Sequence, residues 1–248
     1  HAQWIVVGRT GTGGLLVIDS FSFLATGPTM WITDQLGVAS WNGAGALWRV
    51  DASGGDAIRI GPEDAEVQLQ PVDEMNLPKA DEQFIRGDRW NVNYPQADHH
   101  HALRIAFEAI ETTADSLLLE VTLSVQTDLL DSHPKIDIHV NGDSVGRVCL
   151  PPDTLSTGSQ SGSAPVTIAQ TENRCTAIFL GPHDSPFTTD LSSSGALRLR
   201  LFGEFLEKGV IRKARPWILF SRSANPPDES HLHAIWQRLA SRPLPLAS

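Results

Sequence analysis

The chain of 248 residues has few cysteines, no long apolar run and no excess of basic residues. Its two cysteines, Cys149 and Cys175, are too few for a disulfide framework or a four-ligand zinc site. Both lie in strand-like segments, so we expect two buried thiols, with a single disulfide between them as the alternative. No run of about 18 apolar residues occurs, and no membrane-spanning helix is therefore expected.

Basic residues are outnumbered, with 19 Lys and Arg against 29 Asp and Glu, which gives a formal net charge of −10. A nucleic-acid partner is not expected, because phosphate contacts require a basic surface. Adhesion to an anionic membrane is disfavoured for the same reason. The chain begins at His1 without Met, so we expect a processed end or a chosen boundary. The cytoplasm is slightly favoured as the compartment, with a removed signal peptide as the alternative, and the oligomeric state stays open.

Two common catalytic or binding motifs are also missing. The glycine-rich residues 8–14 match neither a Walker A loop nor the G-x-G-x-x-G pattern, and the strand that follows them offers no helix N-terminus to a phosphate. We interpret them as a hairpin turn. The pattern G-x-S-x-G occurs at residues 142–146, but Asn141-Gly142 marks a hairpin turn there and not the strand-to-helix elbow of a nucleophile, so the sequence gives no sign of a serine hydrolase.

The strongest pattern present is a period of two over residues 103–140. Apolar residues alternate with polar ones in residues 103–110, 117–125 and 136–140, which is typical of strands with one buried face. Short polar breaks separate the three segments. We therefore predict three neighbouring strands in a meander, with a second layer that covers their apolar face.

The whole chain is predicted to be all-β, a two-layer antiparallel β-sandwich with long loops and one C-terminal α-helix. We expect a single domain over residues 1–248, in which the Pro-, Ser- and Gly-rich residues 151–165 form a flexible loop. The helix is predicted over residues 227–241, where an apolar stripe has the spacing of one helix face. The residues of that stripe are Leu232, Ile235, Trp236 and Leu239.

Glu108 and Glu120 are the candidate catalytic residues. A hairpin centred on the break at residues 111–116 would place Glu108 near Glu120 on the outer face of the sheet. Paired carboxylates can serve as general acid and base in glycoside chemistry. The alternative is a solvated outer face, and a register slip by one residue would separate the pair.

His99 and His101 are the candidate metal ligands. If the run after Asp98 were a strand, both imidazoles would point to one side, and zinc would be the expected ion. A third ligand would have to come from elsewhere, such as His139 or Asp137. The alternative is a polar strand entry without a cofactor.

Two sets of residues are candidates for ligand binding. Trp90 and Tyr94 share one strand face, which is either part of the core or an exposed aromatic platform for a sugar ring. Arg212 and Arg215 lie in a locally basic segment over residues 198–222. Their guanidinium groups could bind a small acidic ligand, or they could pair with the acidic residues 51–82 and stabilise the fold.

The leading functional prediction is a non-enzymatic ligand-binding or interaction module, with carbohydrate as the favoured ligand class. It depends on the β architecture, on seven tryptophans in turn-rich surroundings and on the lack of a catalytic signature. The first alternative is a carbohydrate-active enzyme, a hydrolase or isomerase that uses the paired carboxylates or the histidines. The second alternative is a structural protein that binds a partner through its acidic or basic segment.

Overall fold

Alternating apolar residues build two antiparallel sheets that enclose a common core. The computed structural model describes residues 29–62, 67–97, 99–148 and 164–243. Within these ranges the chain forms two sheets and one C-terminal α-helix, which confirms the predicted all-β sandwich. The strands predicted within residues 1–28, the glycine-rich residues 8–14, Cys149 and residues 151–163 of the predicted loop lie outside the described residues.

The first sheet contains eight of the described strands, in the spatial order β1-β2-β3-β4-β5-β10-β15-β14. In chain order these are β1 (Met30–Thr33), β2 (Val38–Gly43), β3 (Ala46–Asp51), β4 (Ile58–Gly61), β5 (Val67–Pro71), β10 (Lys135–Asn141), β14 (Thr189–Asp190) and β15 (Ala196–Phe202). Their apolar residues face the second sheet, and their polar residues face outward.

The second sheet contains the other nine described strands, in the order β11-β12-β13-β17-β9-β8-β7-β6, and β16 pairs with β9. In chain order these are β6 (Glu82–Arg86), β7 (Arg89–Tyr94), β8 (Ala102–Thr112), β9 (Ser116–Gln126), β11 (Ser144–Val148), β12 (Val166–Gln170), β13 (Cys175–Phe179), β16 (Ile211–Ala214) and β17 (Trp217–Ser221). Cys175 in β13 is buried and carries a free thiol, so the predicted alternative of a disulfide is wrong. Burial raises the pKa of this thiol to about 11.

The predicted meander is correct for two of its three strands. β8 and β9 form a hairpin, as expected, but β10 lies in the other sheet between β5 and β15. The polar residues that precede β10 carry the chain across the sandwich instead of turning it back along β9. Alternation in a sequence specifies that one face is buried, but it does not specify the sheet to which the strand belongs.

The helix α1 (Glu229–Ser241) covers part of the outer face of the second sheet. It begins where the side chain of Asp228 accepts a hydrogen bond of 2.8 Å from the backbone N–H of His231, an N-cap contact. The predicted stripe is buried against β12, β13 and β17, which confirms the helix. No helix in the described residues is long and apolar enough to cross a membrane.

Candidate functional site

Glu108 and Glu120 are neighbours across the hairpin, as the sequence predicted. Glu108 on β8 lies directly opposite Glu120 on β9, just before a bulge in the hairpin at Ala109. Both side chains point away from the core between the sheets, but the end of α1 covers them. Glu120 is only 1% exposed, so the outer face is closed at this point.

Three arginines hold the two carboxylates. Arg89 binds Glu108 at 2.5 Å and Glu120 at 3.2 Å, and Arg242 binds the same two groups at 2.6 and 3.1 Å. Arg215 lies 4.0 Å from Glu120 through its Nε atom. The indole N–H of Trp217 donates a further hydrogen bond of 2.8 Å to Glu120. We call these six residues the arginine–carboxylate cluster.

The surroundings of this cluster favour a structural role. Burial opposes ionisation of Glu108, but hydrogen bonds from Arg242 and Arg89 outweigh it and hold the pKa of Glu108 below its usual range. A general acid in glycoside hydrolysis requires the opposite shift. The predicted catalytic role of Glu108 and Glu120 therefore gains no support from their environment.

The predicted aromatic platform is wrong, because Trp90 and Tyr94 face the core. Trp90 is fully buried and stacks on Phe107 with ring centroids 5.1 Å apart. Tyr94 is 2% exposed, and its hydroxyl donates a hydrogen bond of 2.6 Å to the carbonyl oxygen of Ala52. The period of two correctly placed both rings on one face, but that face is covered by the first sheet.

The histidines 99–101 lie in bends before β8 and not on a strand. His99 contacts the carboxylate of Glu74 through Nδ1, whereas His101 is 6% exposed and has no hydrogen-bond partner for either ring nitrogen among the described residues. The described residues contain no group of three or more His, Cys, Asp or Glu side chains arranged to hold a metal ion. Within the described ranges, the two imidazoles therefore have no third ligand.

Arg212 and Arg215 are neighbours on the chain but have different surroundings. Arg215 is buried, and its guanidinium donates hydrogen bonds to the carbonyl oxygens of Leu239, Arg242 and Pro243 at the end of α1. This contact stabilises the C-terminal end of the helix, where a cation is favoured. Arg215 therefore does not bind a ligand in the predicted way.

Arg212 instead lines a cleft between β15 and β16. The cleft has a volume of about 220 Å³ and is formed by the ends of these strands and by the turn after β13, which contains the 3-10 helix Ser185–Phe187. We call it the β15–β16 cleft. Its lining residues are His183, Asp184, Phe187, Thr188, Leu201, Phe202, Glu204, Arg212, Lys213 and Ala214.

Both acidic and basic groups face this cleft. Arg212 binds Glu204 at 2.8 Å and the carbonyl oxygen of Phe205 at 3.2 Å, so its guanidinium is held in place. Burial raises the pKa of Asp184, although the backbone N–H of Arg215 donates a hydrogen bond to it. Burial and the nearby Arg104 lower the pKa of Lys213. Shifted pKa values within a concave site are a common feature of binding and catalytic sites.

Phe202 at the cleft wall has a backbone conformation that non-glycine residues rarely adopt. Its φ is 65°, and the side chain is 8% exposed. Such a conformation costs about 1–3 kcal/mol and persists only where the surrounding structure enforces it. It occurs where β15 ends, and it directs the ring toward the core and the cleft instead of outward with Arg198 and Arg200.

The sequence analysis missed most of this site. His183, Asp184 and Thr188 are scattered polar residues of a turn, and Phe202 and Glu204 lie at the end of a strand. Only the basic segment that contains Arg212 pointed to this region. The Gly181-Pro182 pair could have marked the turn, but its position against β16 depends on long-range packing.

The fold and the cleft thus define a β-sandwich with a small mixed-polarity site at the border of its two sheets. The chain matches no protein-family model, and no curated protein matches it in sequence.

Proposed function

We propose that this protein is a non-enzymatic binding protein that holds a carbohydrate ring in the β15–β16 cleft. A sugar ring has an apolar face and a rim of hydroxyl groups that both donate and accept hydrogen bonds. The cleft offers matching groups, because the rings of Phe187 and Phe202 lie beside cationic donors and carboxylate acceptors. This combination is the observation that carries the proposal.

The size of the cleft limits the size of the ligand that it can hold. Sites for drug-sized molecules usually measure roughly 300–1,000 Å³, whereas this cleft measures about 220 Å³. It therefore suits one ring, such as a monosaccharide or the terminal residue of a glycan. Phe187 is 56% exposed, so its ring is available for stacking against such a ligand.

The test measures binding of a monosaccharide panel by isothermal titration calorimetry and by saturation-transfer NMR. We expect binding by the wild-type protein and a roughly fivefold weaker affinity for Phe187→Ala, because stacking on an aromatic ring contributes about 1 kcal/mol. Phe84→Ala is the matched control, since Phe84 is also partly exposed but lies on β6 at the edge of the second sheet. Its affinity should equal that of the wild type. A panel without any binder, or equal losses in both variants, would refute the proposal.

An enzymatic alternative uses the same cleft. The raised pKa of Asp184 suits a general acid, and Glu204 is a second carboxylate in the lining. The same samples distinguish the two functions, because an enzyme would release a reducing sugar from aryl glycosides or oligosaccharides over time. Binding without such release supports the non-enzymatic function.

A further inference from the structure

The outer face of the first sheet carries two rows of polar side chains that run across the strands. Direct Cα partners in successive strands form each row, so neighbouring side chains lie about 4.8 Å apart. The first row consists of Asp51, Arg59, Gln68, His139 and Arg198, on β3, β4, β5, β10 and β15. The second row consists of Gln70, Asp137, Arg200 and Thr189, on β5, β10, β15 and β14. We call these nine residues the polar ladder.

Asp137 organises the basic half of the ladder. It is fully buried although it points outward, because Arg198 and Arg200 close over its carboxylate. Arg200 binds Asp137 through Nε at 2.9 Å and through Nη2 at 3.1 Å, and Arg198 binds it through Nε. Two guanidinium groups around one carboxylate leave a net positive charge in a chain whose net charge is −10.

This excess charge is accessible. The side chain of Arg198 is 45% exposed and that of Arg200 is 25% exposed. Both are held by Asp137, so their remaining donors are preorganised for an anionic group. His139 lies between Gln68 and Arg198 in the first row, and its Nδ1 atom is buried without a hydrogen-bond partner among the described residues.

The other groups of the ladder favour hydroxyl-bearing partners. Gln68 and Gln70 present amides that donate and accept, and a hydrogen bond of 2.6 Å joins them. The nine side chains include no Trp, Tyr or Phe ring on which a nucleic-acid base could stack. The strand spacing is comparable to the advance of an extended sugar chain per ring, so a glycan that crosses the strands could contact one row residue at each step.

We propose that the polar ladder binds an extended glycan chain that carries carboxylate groups. Arg198 and Arg200 recognise the carboxylates, and Gln68 and Gln70 contact the hydroxyl groups. This site and its polymeric ligand go beyond the proposed function, which concerns a single ring in the β15–β16 cleft. The two sites share no residue, so one can fail experimentally while the other holds.

The experiment measures binding of polygalacturonate by isothermal titration calorimetry and compares it with fully methyl-esterified polygalacturonate, which has the same backbone without charges. We expect the wild type to bind the charged polymer at least tenfold more tightly. Arg198→Gln should weaken this binding roughly tenfold, since charge-assisted bidentate contacts are among the stronger polar contacts. The fold should survive, because Arg200 keeps two hydrogen bonds to Asp137.

Arg86→Gln is the matched control, because it removes the same charge from an exposed arginine on the edge strand β6. Its affinity should stay within twofold of the wild type. If Arg198→Gln does not fold, the uncharged pair Gln68→Ala and Gln70→Ala tests the same surface. The proposal would be overturned if the wild type did not bind the charged polymer or bound the esterified polymer equally well. Equal losses of affinity in Arg198→Gln and in Arg86→Gln would also overturn it. Tight binding of a single-stranded oligonucleotide would also overturn it, because the face would then be a general polyanion site.

Discussion

His101 has an unusual environment, because neither nitrogen of its buried ring has a hydrogen-bond partner among the described residues. It lies where a loop of the first sheet, which contains Glu74, meets the entry to β8. Burial lowers the pKa of His101, and this effect outweighs the attraction of Glu74. The folded state thus prefers the neutral imidazole, which makes this residue a source of acid sensitivity.

Because the pKa of His101 is lower in the folded state than in the unfolded chain, acid destabilises the protein. Below the ordinary value of 6.5 the unfolded chain binds a proton that the folded state resists, so stability falls as the pH falls. We expect His101→Leu to flatten the decrease in unfolding free energy between pH 7 and pH 5 by about 1 kcal/mol, the scale of one poorly satisfied buried polar group. Urea unfolding at several pH values measures this dependence of the unfolding free energy on pH.

His231→Leu is the control for this prediction, since His231 is exposed on the first turn of α1. Its pH dependence should match that of the wild type. A wild-type stability that does not change over this range, or a variant that is as acid-sensitive as the wild type, would contradict the assigned role of His101.

At the scale of elements, Arg215 connects the second sheet to α1. It reaches three carbonyl oxygens at the end of the helix and also approaches Glu120 in the arginine–carboxylate cluster. Arg215→Met would leave these carbonyls without their donor and remove one of the three arginines that neutralise the glutamates. We expect a loss of about 3 kcal/mol in unfolding free energy, as is typical when one partner of a buried ionic contact is removed.

Guanidinium chloride unfolding measures this loss, and far-UV circular dichroism shows whether the helix has detached. Arg86→Met serves as the control, because Arg86 is exposed on an edge strand and its replacement should change stability by less than about 0.5 kcal/mol. A loss of similar size in both variants would show that Arg215 contributes no more than a surface charge.

The elements themselves were largely predictable from sequence. Local alternation located β8 and β9, and the position of the turn placed Glu108 near Glu120. The stripe from Leu232 to Leu239 likewise located α1. These features depend on contacts between residues that are close in the chain, for which pattern and turn length are sufficient.

The predictions that failed depend on packing between distant segments. The sheet that receives β10 is set by β5 and β15, which lie at least 55 residues away from it along the chain, and alternation contains no information about that choice. For the same reason the pattern could not show that Trp90 and Tyr94 face the first sheet. The β15–β16 cleft and the ion pairs of Asp137 also join residues from separate strands, so no local motif marks them.

At the scale of the whole molecule, ion pairs join the two sheets and their loops. Asp190 on β14 of the first sheet binds Arg147 on β11 of the second sheet and accepts a hydrogen bond of 2.8 Å from the backbone N–H of Ser192. Burial opposes ionisation of Asp190, but these contacts outweigh it and lower its pKa. The pKa values of Glu74 and Glu108 are lowered against burial in the same way. The native state therefore requires these carboxylates in their charged form.

Acid should consequently destabilise the molecule in a second stage, below the range in which His101 acts. A carboxylate whose pKa is lower in the folded state than in the unfolded state stabilises the fold. This stabilisation is complete above the unfolded pKa, here 4.5 for glutamate and 3.8 for aspartate, and it is lost as the pH falls through the folded pKa. We expect the three carboxylates together to account for a loss of unfolding free energy on the order of 2 kcal/mol between pH 4.5 and pH 2.5.

The substitution Asp190→Asn should lower the stability at pH 7 and reduce its further decrease between pH 4.5 and pH 2.5. The control Asp131→Asn, at a carboxylate that is 84% exposed, should change neither quantity. Urea unfolding midpoints measured across this pH range test the prediction. An equally steep decrease of stability in Asp190→Asn and in the wild type would show that the contact between the sheets does not control the acid sensitivity.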